Sequence, residues 1–203
     1  MVKGQLIARG ITDSRVLAAF RKIPRHRFVE PRLAAHAYED HPLEIGFGQT
    51  ISQPFMVAYM LQALGLVGGE RVLEVGTGSG YETALLASLA QEIFSCERIP
   101  ELAASAEKIL KELGIANVSL RVGDGSRGWP EEAPFDAIIV SCAAPQVPQT
   151  LMDELSVGGR LGIPIGDASA QDFVLVERTA QGLKSKQLGG CVFVPLVGEA
   201  GFR

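Results

Sequence analysis

The chain predicts an α/β fold: a doubly wound, mostly parallel sheet of Rossmann-like type, with an N-terminal helical extension and a C-terminal antiparallel strand pair. Three features point there. From Arg71 onward, apolar strand-like segments alternate with helix-periodic ones, a pattern that builds a parallel sheet with helices on both faces. The first of these strands, Val72-Leu73-Glu74-Val75, runs straight into Gly76-Thr77-Gly78-Ser79-Gly80 and then a helical pattern. A strand, a glycine-rich turn and a helix N-terminus together make a nucleotide-binding device, because the turn admits a ligand closely and the helix end offers free N–H groups. The last two strand-like segments have no helix between them.

Taken in order, residues 1–30 hold two short helical patterns, Gly4–Arg9 and Ser14–Arg21, the second with Asp13 as its N-cap. Pro24 and Pro31 punctuate the chain, and Leu33–Tyr38 reads as a helical turn or two before Asp40-His41-Pro42. Leu43 to Pro54, with two glycines and several hydroxyls, reads as a loop rather than a strand. Ser52 stands as the N-cap of the apolar helix Phe55–Leu64, with Pro54 harmless in its first turn. Strands follow at Arg71–Val75, Glu92–Glu97, Val118–Val122, Phe135–Val140 and Gly159–Pro164, with helices at Ser79–Ala90, Glu101–Leu113 and Pro148–Glu154. Phe173–Arg178 and Gly190–Pro195 form the terminal antiparallel pair. One domain is expected over 1–203, with 1–53 as the helical and loop extension and 54–203 as the core.

The 203 residues suffice for a sizeable core, and 47% hydrophobic with 21% charged residues is ordinary for a globular chain. A net charge of −4 leaves no electrostatic footprint for nucleic acid. The one basic run, Arg21 to Arg27, reads as a solvated helix end and turn. Cys96, Cys142 and Cys191 are scattered without metal-ligand spacing, as are His26, His36 and His41, so no metal is expected. An odd number of isolated thiols fits a reducing, cytoplasmic setting. No segment approaches the ~18 apolar residues of a membrane span, and no signal-peptide core is present.

The chemistry narrows the ligand. The dinucleotide fingerprint wants its third glycine where Tyr81 stands, and no Gly-Lys-Ser/Thr follows for a P-loop. The spacing Gly76, Gly78, Gly80 behind Glu74 resembles motif I of class I S-adenosyl-L-methionine methyltransferases. Glu97 ends the second strand, 21 positions beyond Gly76, near the ~20-residue offset at which an acid reaches ribose hydroxyls. Asp124 ends the third, placed to accept from an adenine amino group. Each acid has a plainer alternative, a solvated strand end or an Asp-Gly turn. The fourth strand lacks the Asn/Asp-Pro-Pro-aromatic motif of base-amino methyltransferases. Cys142 has no preceding proline and reads as small core rather than nucleophile. No serine sits in G-x-S-x-G.

With these pieces in place, the chain resembles the protein-L-isoaspartate (D-aspartate) O-methyltransferases. The resemblance rests on Gly48-Gln49-Thr50-Ile51-Ser52-Gln53-Pro54, Val72 to Tyr81, Glu97 to Leu102, Gly123-Asp124-Gly125, Ala133 to Val140 and Phe193-Val194-Pro195-Leu196. It implies the class I methyltransferase fold and methyl transfer from S-adenosyl-L-methionine, leaving S-adenosyl-L-homocysteine. The acceptor it implies is the free carboxylate of L-isoaspartyl residues in damaged proteins and peptides, with D-aspartyl residues left open. Ser52 is then the catalytic residue, with Gln49, Thr50 and Ile51 closing over the cofactor. Gly76, Gly78 and Gly80 serve its methionine part, Glu97 the ribose, and Asp124 with Gly125 the adenine, with Thr77 and Arg98 also at the cofactor. A cytoplasmic monomer without nucleic-acid or membrane partners is expected. Glu44 stands where many bacterial members have proline, Cys142 where threonine or alanine is common, and Val57 and Val197 where some eukaryotic members have histidine and threonine. A methyltransferase with another acceptor would share the glycine turn but lack the Gly48–Pro54 segment.

Overall fold

The computed structural model describes residues 1–167 and 169–202. Val2–Leu6 and Ile7–Arg9 are short irregular helical turns where the pattern predicts one helix. The first regular helix, α1 (Ser14–Lys22), starts at Asp13, whose carboxylate accepts from the Arg15 and Val16 N–H groups at 2.8 and 3.2 Å. Its buried face of Val16, Leu17, Ala19 and Phe20 packs inward, and the Phe20 ring meets Tyr81 edge-on at 6.0 Å. Arg25–Phe28 and Pro31–His36 follow as 3-10 turns. Arg25 corrects the solvated reading of the basic run: its side chain is wholly buried, whereas Arg27 stays at the surface and pairs with Glu112.

The stretch read as a loop is a hairpin, β1 (Leu43–Gly46) against β2 (Gln49–Ile51). The chain reverses through Gly46, Phe47 and Gly48, all with positive φ, and a register slip follows Glu44. Strands this short, joined by glycines and carrying polar Gln49 and Thr50, leave no alternation for sequence to reveal. Helix α2 (Pro54–Leu64) then begins from Gln53, not Ser52, and without a side-chain cap of its own. Its Phe55 N–H is capped from a distance by Asp40 Oδ1 at 3.0 Å.

The sheet core follows prediction closely: β3 (Arg71–Val75), β4 (Glu92–Glu97), β5 (Val118–Val122) and β6 (Phe135–Val140) have the expected bounds. Helix α3 (Tyr81–Ala87) starts later than expected because Gly80, at φ 84°, is its left-handed N-cap, and it ends at Ala87 with Ser88 as C-cap rather than at Ala90. A Cβ on Gly80 would sit 2.9 Å from that of Ala106, so the glycine lets α3 lie against α4 (Pro100–Glu112). After α5 (Gln149–Asp153), strand β7 (Leu155–Gly166) outruns its predicted span and pairs with β8 (Gln171–Thr179). The last strand, β9, is Gly182–Cys191 rather than Gly190–Pro195. Exposed Lys184, Ser185, Lys186 and Gln187 hide it from a hydrophobic pattern; backbone pairing with β8 holds it.

The strand order is β5-β4-β3-β6-β7-β8-β9, parallel through β7 and antiparallel thereafter. Side chains alternate across it. Val72, Ile93, Ala137 and Ile139 join the core under α1, α2 and α3. Leu73, Phe94, Ile138 and Val140 join a second core with Leu151 and Trp129. From β3 the chain winds through β4 to β5 and then returns to β6 on the other side, so a crevice opens at the carboxyl ends of β3, β4 and β6.

Candidate active site at the strand switch point

The crevice is an open cleft, about 740 Å3 when the solvent in its mouth is counted. Gly76, Thr77, Gly78 and Ser79 form one side, Glu97 and Arg98 the end of β4, Gly125 the turn after β5, and Ser141 with Cys142 the end of β6. Gln49, Thr50, Ile51 and Ser52 close the opposite side, beside Val57. Val194 to Val197 form a roof, tied down where Leu196 N–H donates to the Ala143 carbonyl at 2.7 Å. Gly76 and Gly78 take φ of 99° and 54°, conformations a side chain strains, and their missing Cβ atoms leave backbone facing the cavity.

Two predicted acids are differently employed. Glu97 is buried and lines the cavity; its two oxygens accept from the Gly78 N–H at 2.8 Å and the Ile99 N–H at 2.9 Å. The carboxylate thus pins the glycine turn and keeps lone pairs for ligand hydroxyls. Asp124 does not line the cavity. Its Oδ1 accepts from the Ser126 N–H and hydroxyl, and its Oδ2 from the Glu199 N–H at 2.8 Å. Partial burial alone would raise this carboxyl, but the Glu199 N–H and the two Ser126 bonds hold it below the ordinary range. Asp124 therefore fastens the roof to the sheet, and the adenine-side lining comes from Gly125. Gly80 also lies outside the lining, against α4.

Ser52 lines the cavity, and its carbonyl accepts from Arg25 Nη2 at 2.8 Å. The same guanidinium donates to the Ala37 carbonyl at 2.7 Å and lies over the Tyr81 ring at 4.9 Å. Burial pushes Arg25 down to about 10, which leaves it charged at neutral pH. No sequence signal marks this strut, because a basic run next to proline looks like surface. Behind the glycine turn, Thr77 and Ser95 hydroxyls lie 2.5 Å apart, and Ser95 and Thr83 both donate to fully buried Glu74. Cys142 is buried and its thiol is pushed upward by that burial, so a thiolate is disfavoured there. Among the described residues no cluster of His, Cys, Asp and Glu converges as a metal site needs, and no helix is long and apolar enough to cross a membrane.

The family model of the protein-L-isoaspartate(D-aspartate) O-methyltransferases matches residues 1–201. The chain belongs to this family. A protein-L-isoaspartate O-methyltransferase of Syntrophobacter fumaroxidans is 55% identical over 202 residues, covering 100% of this chain and 94% of the relative. A solved protein-L-isoaspartate O-methyltransferase superposes with TM-score 0.87 at 30% identity, covering 99% of this chain and 67% of its own. A Plasmodium falciparum member, solved in complex with S-adenosyl-L-homocysteine, gives TM-score 0.84 at 27% identity over 97% of this chain and 96% of its own. The fold is thus that of the isoaspartate methyltransferases, as the motifs implied. Among the departures within this methyltransferase, Val57, Cys142 and Val197 line the cavity, while Glu44 lies exposed in β1.

Proposed function

We propose that this cavity holds S-adenosyl-L-methionine and that the chain methylates the free carboxylate of L-isoaspartyl residues in damaged proteins and peptides, D-aspartyl residues being a second acceptor class. One observation carries the residue assignment: the β1–β2 hairpin delivers Gln49 to Ser52 to the same cavity as Gly76, Gly78 and Glu97. The residues fit the cofactor, since Gly76 and Gly78 bring no Cβ to the cavity side of the turn and Glu97 keeps acceptor capacity beside it.

When bound, the cofactor supplies an electrophilic methyl group on a sulfonium. Gly76, Thr77 and Gly78 face its methionine part, Glu97 and Arg98 the ribose, and Gly125 the adenine; Gly80 and Asp124 act from outside the lining, by packing α3 and fastening the roof. Ser52 donates its hydroxyl to the acceptor carboxylate and fixes its approach. An ordinary carboxylic acid, which titrates near pH ~4, is already ionised at neutral pH, so the site needs no general base. Positioning and exclusion of water remain as the work of Gln49, Thr50 and Ile51, and neutralisation of charge in the transfer favours a dry site. Away from the enzyme the following backbone amide nitrogen attacks the ester, expelling methanol and closing a succinimide, and water reopens part of it to aspartate.

A single domain performs this as a cytoplasmic monomer, with residues 1–53 supplying the Ser52 wall and 54–203 the cradle. The β9 edge and the exposed Phe47 turn are the surfaces offered to an extended peptide. The test uses labelled S-adenosyl-L-methionine and two peptides that differ only in one L-isoaspartyl or L-aspartyl linkage. Base-labile label on the isoaspartyl peptide alone is expected. Label on neither, with the cofactor bound, overturns the acceptor.

A further inference from the structure

Glu82 is the second residue of α3 and opens onto the cavity, yet it is only 7% exposed. Its Oε2 accepts from the Ser141 hydroxyl at 2.7 Å, while its buried Oε1 has no hydrogen-bond partner. Directly behind lies Glu74, 0% exposed, with Oε2 satisfied by Ser95 and Thr83 and Oε1 again unpartnered. Two buried carboxyls with one empty oxygen each, and no cation among the described residues paired with either, are an unusual expense in a strand–turn–helix core. A ligand that brings a positive charge would relieve it.

We propose, resting on the cofactor reading of this cavity, that Glu82 Oε1 accepts the α-ammonium of the cofactor's methionine moiety and that the Glu74–Glu82 pair releases a shared proton as that cation enters. The geometry suits this: Glu82 follows the turn that faces the methionine part, and Ser141 already holds its other oxygen in place. Burial, then the charge of Glu82, push the Glu74 carboxyl above the ordinary range, and Glu97 adds to it; burial pushes Glu82 up as well, against the Ser141 bond. The pair therefore keeps a proton at neutral pH without ligand. The other groups facing it are uncharged or farther out: Thr83 and Tyr81 on α3, Ser95 on β4, Cys142 after β6, and Arg98 at the rim. Since the proton and the ammonium compete for one carboxylate, affinity for the cofactor rises as pH increases through the range in which the empty pair loses its proton.

Calorimetry on the full chain tests this with two nucleosides, S-adenosyl-L-homocysteine and 5′-methylthioadenosine, the second lacking the amino-acid end. In two buffers of different ionisation enthalpy near about pH 6.5, where an α-amino group stays charged, S-adenosyl-L-homocysteine should release close to one proton and methylthioadenosine none. Glu82→Gln should weaken S-adenosyl-L-homocysteine by about 10- to 100-fold, the worth of a charged hydrogen bond, and leave methylthioadenosine unchanged. Glu74→Gln, which leaves Glu82 raised by burial alone, should reduce proton release while keeping affinity. Equal weakening of both nucleosides by Glu82→Gln, or no proton release by the unaltered chain, overturns the proposal while the cofactor site stands. Failure of the unaltered chain to bind either nucleoside overturns the cofactor reading as well.

Discussion

The two sides of the cavity are built by different means. The cradle from β3 to α3 is made by contiguous residues: strand, glycine turn and helix arrive in one run, and Glu97 accepts one hydrogen bond from the Gly78 N–H to lock it. The facing wall, Gln49 to Ser52, is a two-stranded hairpin too short to stand alone. It is held by side chains from far along the chain, Arg25 to the Ser52 carbonyl and Asp40 to the head of α2. A cofactor side fixed locally and an acceptor side fixed by distant struts should fail differently when cut.

The largest effect is expected at the strut. Arg25→Met removes a buried fork that satisfies two carbonyls, and unsatisfied buried groups at about 1–3 kcal/mol each imply a loss of about 4 kcal/mol in denaturant unfolding. Partial rescue by Arg25→Lys, which restores charge but not the fork, would show how much of the loss is geometry. If Arg25→Met keeps full stability and kcat, the wall needs no strut and the contrast collapses.

Ser52→Ala comes next. It leaves the Arg25 bond to the Ser52 backbone intact and takes only the hydroxyl. Loss of one oriented donor should cut kcat by on the order of 100-fold, about 2.7 kcal/mol. Cofactor affinity, set on the other side of the cavity, should change less than about twofold. Equal losses in both would merge the two sides into one.

On the cradle side, Gly80→Ala places a Cβ 2.9 Å from that of Ala106 at a φ of 84°. Overpacking and backbone strain together should cost about 2 kcal/mol. The loss should appear in stability first, since Gly80 touches α4 rather than the cavity. An unaltered melting temperature with lost cofactor binding would return Gly80 to the lining.

The same contrast explains what the sequence made legible. The parallel strands and the glycine turn could be read because their signals are local: apolar runs with sharp boundaries at β3 to β6, and glycines at alternate positions. The distant cap of α2 and the burial of Arg25 could not, because each is decided by a partner 12 to 27 positions away, and the hairpin could not because its strands are too short to show an alternation. Asp124 is a related case: an acid at a strand end looks like a ligand group, and only the folded C-terminal segment shows that it also accepts from the Glu199 N–H. Glu82 does leave a local signal, a carboxylate in an otherwise apolar helix directly after the turn.

The smallest effect separates charge from capping at Asp40. Its Oδ1 accepts the Phe55 N–H, while Oδ2 pairs with Arg9 at 2.5 Å on a half-exposed surface. Exposed pairs contribute about 0–1 kcal/mol, and a lost cap costs about 1 kcal/mol. Asp40→Asn keeps an acceptor for Phe55 and should change stability by less than about 0.5 kcal/mol, since the Arg9 pair is the weaker of the two interactions. Asp40→Ala loses the acceptor too, freeing the head of α2 beside Ser52. It should lower kcat several-fold while leaving cofactor affinity intact, because what it loosens is the strutted wall and not the cradle. Matching losses from the two substitutions would mean that the ion pair, rather than the cap, holds that wall.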